Sequence, residues 1–257
     1  MSASRETHDL AWAISGPRLL QQSIGSLELP PDLPPTPVPT NHRVGYYFED
    51  LVRHYLRHRP DLEVLVENQQ IQEGTRTLGE VDFIFRDLAT GRVHHWETAI
   101  KFYLHFPDAP AIESHYIGPN ANDDLERKTA RLLEHQLPTA KRAFPEIDEQ
   151  AVFVRGILFY RSDATIPPPH PLLNPDHLRG LWLWRREIDQ LESLGQGFAR
   201  MEKPYWLTPP DAADDVDFSE IRAQLADLTR PQMLSVRSAS GEEPRVFVVP
   251  DDWPTRG

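Results

Sequence analysis

The sequence predicts an α/β protein in which a mixed β-sheet is flanked by helices. Three observations predict this class: an amphipathic helix near residue 50, three strand-like segments directly after it, and a strongly apolar strand that follows a second helix. The core then has the order helix, strand, strand, strand, helix, strand, with additions at both ends. A length of 257 residues and a hydrophobic content of 39% are sufficient for one sizeable core.

The N-terminal addition, residues 1–40, combines a short helical segment with a connector. Residues 9–23 carry apolar side chains on both sides of a Gly-Pro pair. The connector, LELPPDLPPTPVPT, is rich in proline, which neither continues a helix nor donates a hydrogen bond to a sheet. We therefore expect an extended segment that leads into a core at residues 41–160.

The first core helix is predicted from about His42 to Arg59, with Asn41 as its N-cap and Pro60 as its stop. Glu49 borders the apolar stripe of this helix. A carboxylate at the margin of a core either pairs with a buried base or points into a site, and both readings stay open. The stripe consists of Phe48, Leu51, Val52, Tyr55 and Leu56.

Three strands follow: residues 62–71, and two runs within residues 77–106 that are joined by a turn at residues 89–91. The glycine in this turn predicts a hairpin. Because side chains alternate between the faces of a strand, Glu80 and Asp82 share one face of the first run, and Glu97 and Lys101 share one face of the second. The hairpin predicts that these four side chains converge on one patch, where they could hold a divalent metal and activate water. The apolar face of the second run consists of Trp96, Ile100, Phe102, Leu104 and Phe106.

The second core helix is predicted from about Asp124 to Phe144, after a proline-containing loop at residues 107–119. Pro138 either kinks this helix or divides it. Residues 151–160 are apolar throughout, which is typical of a strand buried on both faces.

The C-terminal part, residues 161–257, is predicted to be an α/β extension packed on the core within one globular unit. It begins with a loop at residues 167–171, a strand at 181–184 and a helix at 186–194. A helix at 218–228 and a hairpin formed by residues 233–237 and 245–249 follow.

Composition limits the functions that are open to the chain. The net charge of −12 argues against strong nonspecific binding of nucleic acid, although a local basic groove is compatible with it. Because the sequence has no cysteine, any metal must use carboxylate, imidazole or carbonyl ligands. No apolar run approaches the roughly 20 residues that span a bilayer, and the N-terminus lacks the features of a signal peptide, so we expect a cytoplasmic protein.

Several motifs resemble known families. GEVDF, residues 79–83, resembles the GExD version of the first motif of the PD-(D/E)xK nuclease superfamily, and the order of the core elements agrees with that superfamily. RETHDLAWAI, GYYFEDLVRHYL, TLGEVDF, HWETAIKFYL and GPNANDDLERK resemble the bacterial family called domain of unknown function 1853, over most of the chain. The resemblance implies a restriction-endonuclease-like fold and metal-dependent hydrolysis of a phosphodiester in DNA or RNA.

Carried over by position, the resemblance makes Asp82 the central ligand of Mg²⁺ or Mn²⁺, Glu97 the second ligand and Glu80 an outer candidate. Lys101 becomes the catalytic lysine, and Glu49 assists from the helix. The spacing departs from the superfamily pattern, because its acid and lysine are usually two positions apart and Glu97 and Lys101 are four apart. Four residues of strand separate their α-carbons by about 13 Å.

Two alternatives stay open from the sequence. Alternating charge is typical of a sheet with one solvated face, on which Glu and Lys form ordinary cross-strand pairs. A nuclease fold that has lost catalysis, and that binds nucleic acid or a protein partner, also fits the altered spacing.

Neighbouring residues carry weaker signals. His94 and His95 are adjacent and point to opposite faces of the strand, so only His95 joins the patch. A single histidine at the patch disfavours a zinc site. Gln136 matches half of a Gln–Tyr pair found in exonuclease-like relatives, because Ala140 occupies the tyrosine position. Tryptophans such as Trp206 either stack on bases or belong to the core. Basic residues of the second core helix either face phosphate or form a solvated surface; they are Arg127, Lys128, Arg131, Lys141 and Arg142.

Overall fold

The structure is a computed structural model, and it describes residues 4–106, 115–162, 170–241 and 243–254. Parts of the predicted loops at 107–119 and 167–171 lie outside the described residues. The helices are α1 (Arg5–Ser15), α2 (Val44–Arg57), α3 (Leu125–Ala130), α4 (Leu137–Ala143) and α5 (Phe218–Gln224). The strands are β1 (Leu62–Glu73), β2 (Arg76–Asp87), β3 (Val93–His105), β4 (Tyr116–Ile117), β5 (Glu149–Arg161), β6 (Leu178–Trp184), β7 (Gly197–Met201), β8 (Gln232–Arg237) and β9 (Arg245–Val249).

The described strands form one mixed sheet in the order β1-β2-β3-β5-β6-β9-β8-β7, and β4 pairs with β3. The four central strands, β3, β5, β6 and β9, are parallel to one another. At the two ends of the sheet the pairs β1–β2, β2–β3, β7–β8 and β8–β9 are antiparallel. The predicted hairpins, β2–β3 and β8–β9, are both present. The sheet continues without interruption from the strands of the predicted core into those of the C-terminal extension.

Helices cover both faces of this sheet, which confirms the predicted architecture of a mixed sheet flanked by helices. Alternate residues of β5 show why: Phe153 and Ile157 pack with the apolar faces of α1 and α2, whereas Val154 and Leu158 pack on the other face with Leu125 of α3. The central strand is therefore buried on both faces, as its apolar sequence predicts.

Helix α2 follows its predicted stripe, but the prediction that Asn41 is its N-cap is wrong. The N-cap is Arg43, and no side chain caps the helix. The side-chain oxygen of Asn41 instead accepts a hydrogen bond from the backbone N–H of Arg43 at 2.8 Å, which closes a turn before the helix begins. The first turn of α2 therefore keeps N–H groups that no side chain caps.

The second core helix remains helical through Pro138, with a π-helical turn at Arg131–Gln136 between α3 and α4. Proline has no N–H and its ring crowds the carbonyl of the preceding turn, so the regular α-helical bond cannot form there. The backbone N–H of Leu137 bonds to the carbonyl of Leu132, five residues earlier. In the extension, the predicted helix at 186–194 is a 3₁₀-helix, Arg185–Ser193, and α5 ends at Gln224, four residues before the predicted end.

Candidate functional site

Strands β2 and β3 separate next to two candidate residues, Asp82 on β2 and Glu97 on β3. Their ladder runs from Arg86 paired with Val93 to Phe83 paired with Trp96, and beyond that pair β2 continues with β1 while β3 continues with β5. At the separation, Oδ2 of Asp82 accepts hydrogen bonds from the backbone N–H of Thr98 at 2.7 Å and from its hydroxyl at 3.1 Å. A carboxylate thus replaces the backbone ladder at the opening between the strands.

Glu97 lies beside this opening and is completely buried. Its Oε1 is 2.9 Å from Nε2 of His95, and its Oε2 accepts a hydrogen bond of 2.9 Å from the amide of Gln136 in the π-helical turn. The amide nitrogen of Gln150 donates to the carbonyl of Leu137 at 2.7 Å and lies 2.9 Å from Nδ1 of His95.

This chain of contacts assigns the histidine tautomer. A carbonyl only accepts, so the contact with Leu137 orients the amide of Gln150 with its nitrogen toward His95. Nδ1 of His95 therefore accepts, its proton is on Nε2, and Nε2 donates to Glu97. Glu97 therefore accepts hydrogen bonds from two sides, and these bonds orient its carboxyl group.

Glu49 reaches the same opening from α2. The amide nitrogen of Asn68 in β1 donates to Oε2 of Glu49 at 3.1 Å and is 3.5 Å from Oε1 of Glu80. Arg53 donates to the amide oxygen of Asn68, and this bond turns the NH₂ group toward the two carboxylates. Asn68 has a φ of 44°, in the left-handed region that asparagine tolerates better than most residues. Glu80 is exposed and lies at the margin of the group.

Glu49, Asp82 and Glu97, hereafter the carboxylate cluster, each have a pKa that is raised by burial and by the charge of another member of the three. Burial and then the charge of Glu97 raise the pKa of Asp82 to about 7. Burial and then the charge of Asp82 raise the pKa of Glu49 to about 7. Burial raises the pKa of Glu97 to about 8, with repulsion from Glu80 and Glu49 added to it. Each group is thus penalised for carrying a charge beside the others.

The cluster has little compensating positive charge in the described part of the chain. Its one ion-pair contact there joins Glu97 to His95, and burial lowers the pKa of His95 to about 4, so this imidazole is neutral near pH 7. Arg53 lowers the pKa of Glu49 only weakly, and its guanidinium is already bonded to Asp50 and Asn68. A cation supplied from outside would relieve the repulsion.

Lys101 lies apart from the cluster. Burial, followed by the charge of Lys128, lowers the pKa of its ammonium, and Asp123 and Asp82 oppose this effect. Among the described residues, its Nζ has no hydrogen bond or ion pair, and its side chain lines a cavity together with Tyr103 and Asp123. Of the predicted site residues, Glu49, Asp82 and Glu97 thus form the carboxylate cluster, and Glu80 lies at its margin. Lys101 lies outside the cluster and lines the neighbouring cavity.

The sequence pointed to some of the supporting residues and missed others. Strand alternation predicts that His95 shares the face of Glu97, and a partial motif points to Gln136. No sequence pattern points to Gln150, because it reaches His95 only through the parallel pairing of β5 with β3, which connects residues far apart in the chain. Asn68 was likewise missed, because its role depends on the approach of β1 to α2.

A family model, that of domain of unknown function DUF1853, matches residues 32–249, which include the whole carboxylate cluster and Lys101. The chain belongs to the DUF1853 family. No curated protein and no solved structure is significantly similar to this DUF1853 chain. Of its described helices, none is both long and apolar enough to cross a membrane.

The candidate metal ligands of the cluster are the carboxylate oxygens of Glu49, Asp82 and Glu97. Carboxylate oxygens are the ligands that Mg²⁺ and Mn²⁺ prefer. No group of three carboxylate or imidazole side chains in the described residues is arranged to hold a metal ion. Mg²⁺ commonly takes only one or two carboxylates and completes its octahedron with water and substrate phosphate. An open site of this type, with one or two of the carboxylates of Asp82, Glu97 and Glu49 as ligands, is the kind of metal site that the described residues could form.

Proposed function

We propose that this DUF1853 protein is a metal-dependent phosphodiester hydrolase, a nuclease acting on DNA or RNA. One observation carries the proposal: three carboxylates from α2, β2 and β3 are gathered at the opening between two strands, with no lysine or arginine of the described chain paired to Asp82 or Glu97. Such a cluster raises the free energy of the metal-free protein, and a bound cation would offset this repulsion.

Within this proposal, Asp82 and Glu97 hold the cation, Glu49 assists them and Glu80 contributes from the margin. Thr98 fixes one oxygen of Asp82 and, among the described contacts, leaves Oδ1 without a hydrogen bond. When bound, Mg²⁺ or Mn²⁺ supplies Lewis-acid chemistry, because it polarises a phosphoryl oxygen and lowers the pKa of water.

The chain's own residues orient these groups. His95 and Gln136 hold the Glu97 carboxylate from two sides, and Gln150 holds His95 in the tautomer that donates to it. Such outer contacts orient metal ligands and contribute to their affinity. Lys101 is positioned to neutralise the charge of a phosphate that enters from the adjoining cavity.

The resemblance of GEVDF, residues 79–83, to the first motif of the PD-(D/E)xK superfamily supports the same function. A restriction-endonuclease-like fold is part of the proposal, and the order α2, β1, β2, β3, helical segment, β5 supports it. The minor strand β4 stands between β3 and the helical segment.

A second candidate function, binding of nucleic acid without cleavage, is favoured by one specific observation. Lys101 faces the cavity and makes no described contact with Glu97 or Asp82, as expected if the four-residue spacing has separated the lysine from the metal ligands. This candidate predicts that the protein binds nucleic acid in EDTA and leaves it intact in Mn²⁺.

Cleavage assays distinguish the two candidates. Single-stranded, double-stranded and structured DNA and RNA are incubated with the protein in Mn²⁺, Mg²⁺ or EDTA, and the products are resolved by length. The proposal predicts that at least one substrate is cut in Mn²⁺, that EDTA stops cleavage, and that Asp82→Asn abolishes it. Glu73→Gln, which changes an exposed carboxylate near the end of β1, is the control and should cut normally. No cleavage of any substrate by the parent would refute the proposal.

A further inference from the structure

The cavity beside Lys101 has features that the carboxylate cluster does not use. It has a volume of about 430 Å³ and lies between the N-terminus of α2, the second half of β3 and the loop after β7. This volume lies within the range of roughly 300–1,000 Å³ that is usual for small-molecule sites. The described lining residues that bear on a ligand are Arg43, Val44, Gly45, Lys101, Asp123 and Lys203.

Basic groups dominate the described part of this lining, although the protein as a whole carries a net charge of −12. Arg43, Lys101 and Lys203 contribute three basic side chains. Asp123 is the one carboxylate among the described lining residues, and it is engaged by Lys128 at 3.6 Å and by the hydroxyl of Tyr103 at 3.3 Å. The cavity is therefore a local positive site on an acidic protein.

Two independent observations indicate that the expected ligand is an anion. The side chain of Lys101 is largely buried, has no polar partner among the described residues and lines the cavity. The 14-residue helix α2 begins at the same cavity without a side-chain cap and without an acidic residue in its first turn. Val44 and Gly45 of that first turn line the cavity, so uncapped backbone N–H groups and the positive end of the helix dipole are available there.

Lys203 is held in place by an aromatic contact. Its Nζ lies 4.7 Å from the ring centre of Trp206, which in turn packs edge-on against Phe102 and Phe247. Burial lowers the pKa of Lys203. Trp206 is itself buried, and the ammonium of Lys203 occupies one side of its ring. Trp206 therefore positions Lys203, and its ring is not free to stack on a nucleic-acid base.

A neighbouring cavity shares His42, Lys203 and Trp206 and adds Arg200 and Arg230. Its lining also includes Glu202 and Asp227, so its charge is mixed. The anion site is therefore assigned to the first cavity, and the second extends away from it.

We infer that the cavity between α2, β3 and Lys203 binds a phosphomonoester, namely the terminal phosphate of a nucleic-acid strand. The identification of the ligand as a strand end rests on the proposed nuclease function. A phosphomonoester carries more charge than an internal phosphodiester, and charge-assisted bonds to lysine, arginine and helix N–H groups are correspondingly strong. The substrate class is thus a nucleic acid with a phosphorylated end.

Binding in EDTA tests this inference without any cleavage. A short single-stranded oligonucleotide is prepared with a 5′-phosphate, with a 3′-phosphate or with neither, and its affinity is measured by fluorescence anisotropy at fixed salt. We expect one phosphorylated form to bind at least about tenfold more tightly than the unphosphorylated form, and the arm that does so identifies the end. Inorganic phosphate should compete, and acetate at the same ionic strength should not.

Variants locate the binding site. Lys203→Met keeps an apolar stem on Trp206 and should remove the preference for the phosphorylated end, with folding checked by thermal unfolding. Arg222→Ala removes an exposed cation of α5 and should leave the preference unchanged. Asp82→Asn should lose cleavage and retain the preference for the phosphorylated end. The binding result in EDTA can therefore be interpreted even if the parent proves not to cleave nucleic acid. Equal affinity of the parent for all three oligonucleotides, or an unchanged preference in Lys203→Met, would overturn the inference.

Discussion

Removing one charge from the carboxylate cluster should stabilise the metal-free protein. The pKa of Asp82 is about 7 in the folded protein, against 3.8 as its ordinary value. Because the folded-state pKa is raised, the stabilising contribution of the protonated form is complete below pH 4 and is lost as the pH rises through 7. A shift of about three pKa units corresponds to at most about 4 kcal/mol at 1.36 kcal/mol per unit. Coupling among the three carboxylates spreads this free energy over the cluster.

The variant Asp82→Asn is the appropriate perturbation, since asparagine resembles the protonated acid and its oxygen still accepts from Thr98. In EDTA at pH 8, we expect its free energy of unfolding to exceed that of the parent by between about 1 and 4 kcal/mol. At pH 5 the gain should be smaller, because Asp82 is then protonated in the parent. Urea unfolding at both pH values measures these differences.

The control Glu73→Gln alters an exposed carboxylate and should change stability by less than about 0.5 kcal/mol at either pH. An Asp82→Asn variant that is less stable than the parent at pH 8 would refute the reasoning. The same refutation would follow if the difference between the variant and the parent did not change from pH 5 to pH 8.

Four further outcomes are expected. Mn²⁺ should raise the unfolding temperature of the parent at pH 8 and leave that of Asp82→Asn nearly unchanged, as a thermal scan would show. Gln136→Ala removes one of the two side-chain donors to Glu97 and should weaken Mn²⁺ binding by about 10- to 100-fold in calorimetry. Lys101→Met should abolish cleavage and retain Mn²⁺ binding; retained cleavage would contradict its role. Gly156→Ala places a Cβ against the carbonyl oxygen of Lys101 and should destabilise the fold by about 1–3 kcal/mol in urea.

Local patterns were sufficient to predict most of the elements. The stripe of α2, the alternation in β2 and β3 and the apolar run of β5 each follow from periodicity, and the glycine-containing turn predicted the β2–β3 pairing. Of the four side chains predicted to converge on one patch, Glu97 and Glu80 raise the pKa of Asp82, whereas Lys101 has no described hydrogen bond or ion pair with them.

The remaining features depend on contacts between distant parts of the chain or on local backbone hydrogen bonding, neither of which periodicity reveals. The position of Lys101 follows from the separation of β3 from β2 beyond the pair formed by Trp96 and Phe83, which no alternation pattern shows. The π-helical turn before Pro138 places Gln136 against Glu97, and the sequence indicated only a kink or a break there. The cavity joins α2 and β3 to Lys203, which lies about a hundred residues further along the chain.

Calorimetric titration with Mn²⁺ at pH 7.5 tests the central claim, that the carboxylate cluster is a metal centre. The parent should bind Mn²⁺, Asp82→Asn should bind it at least about tenfold more weakly, and Glu73→Gln should bind like the parent. Absence of binding by the parent, or equal affinity of the parent and Asp82→Asn, would contradict the claim.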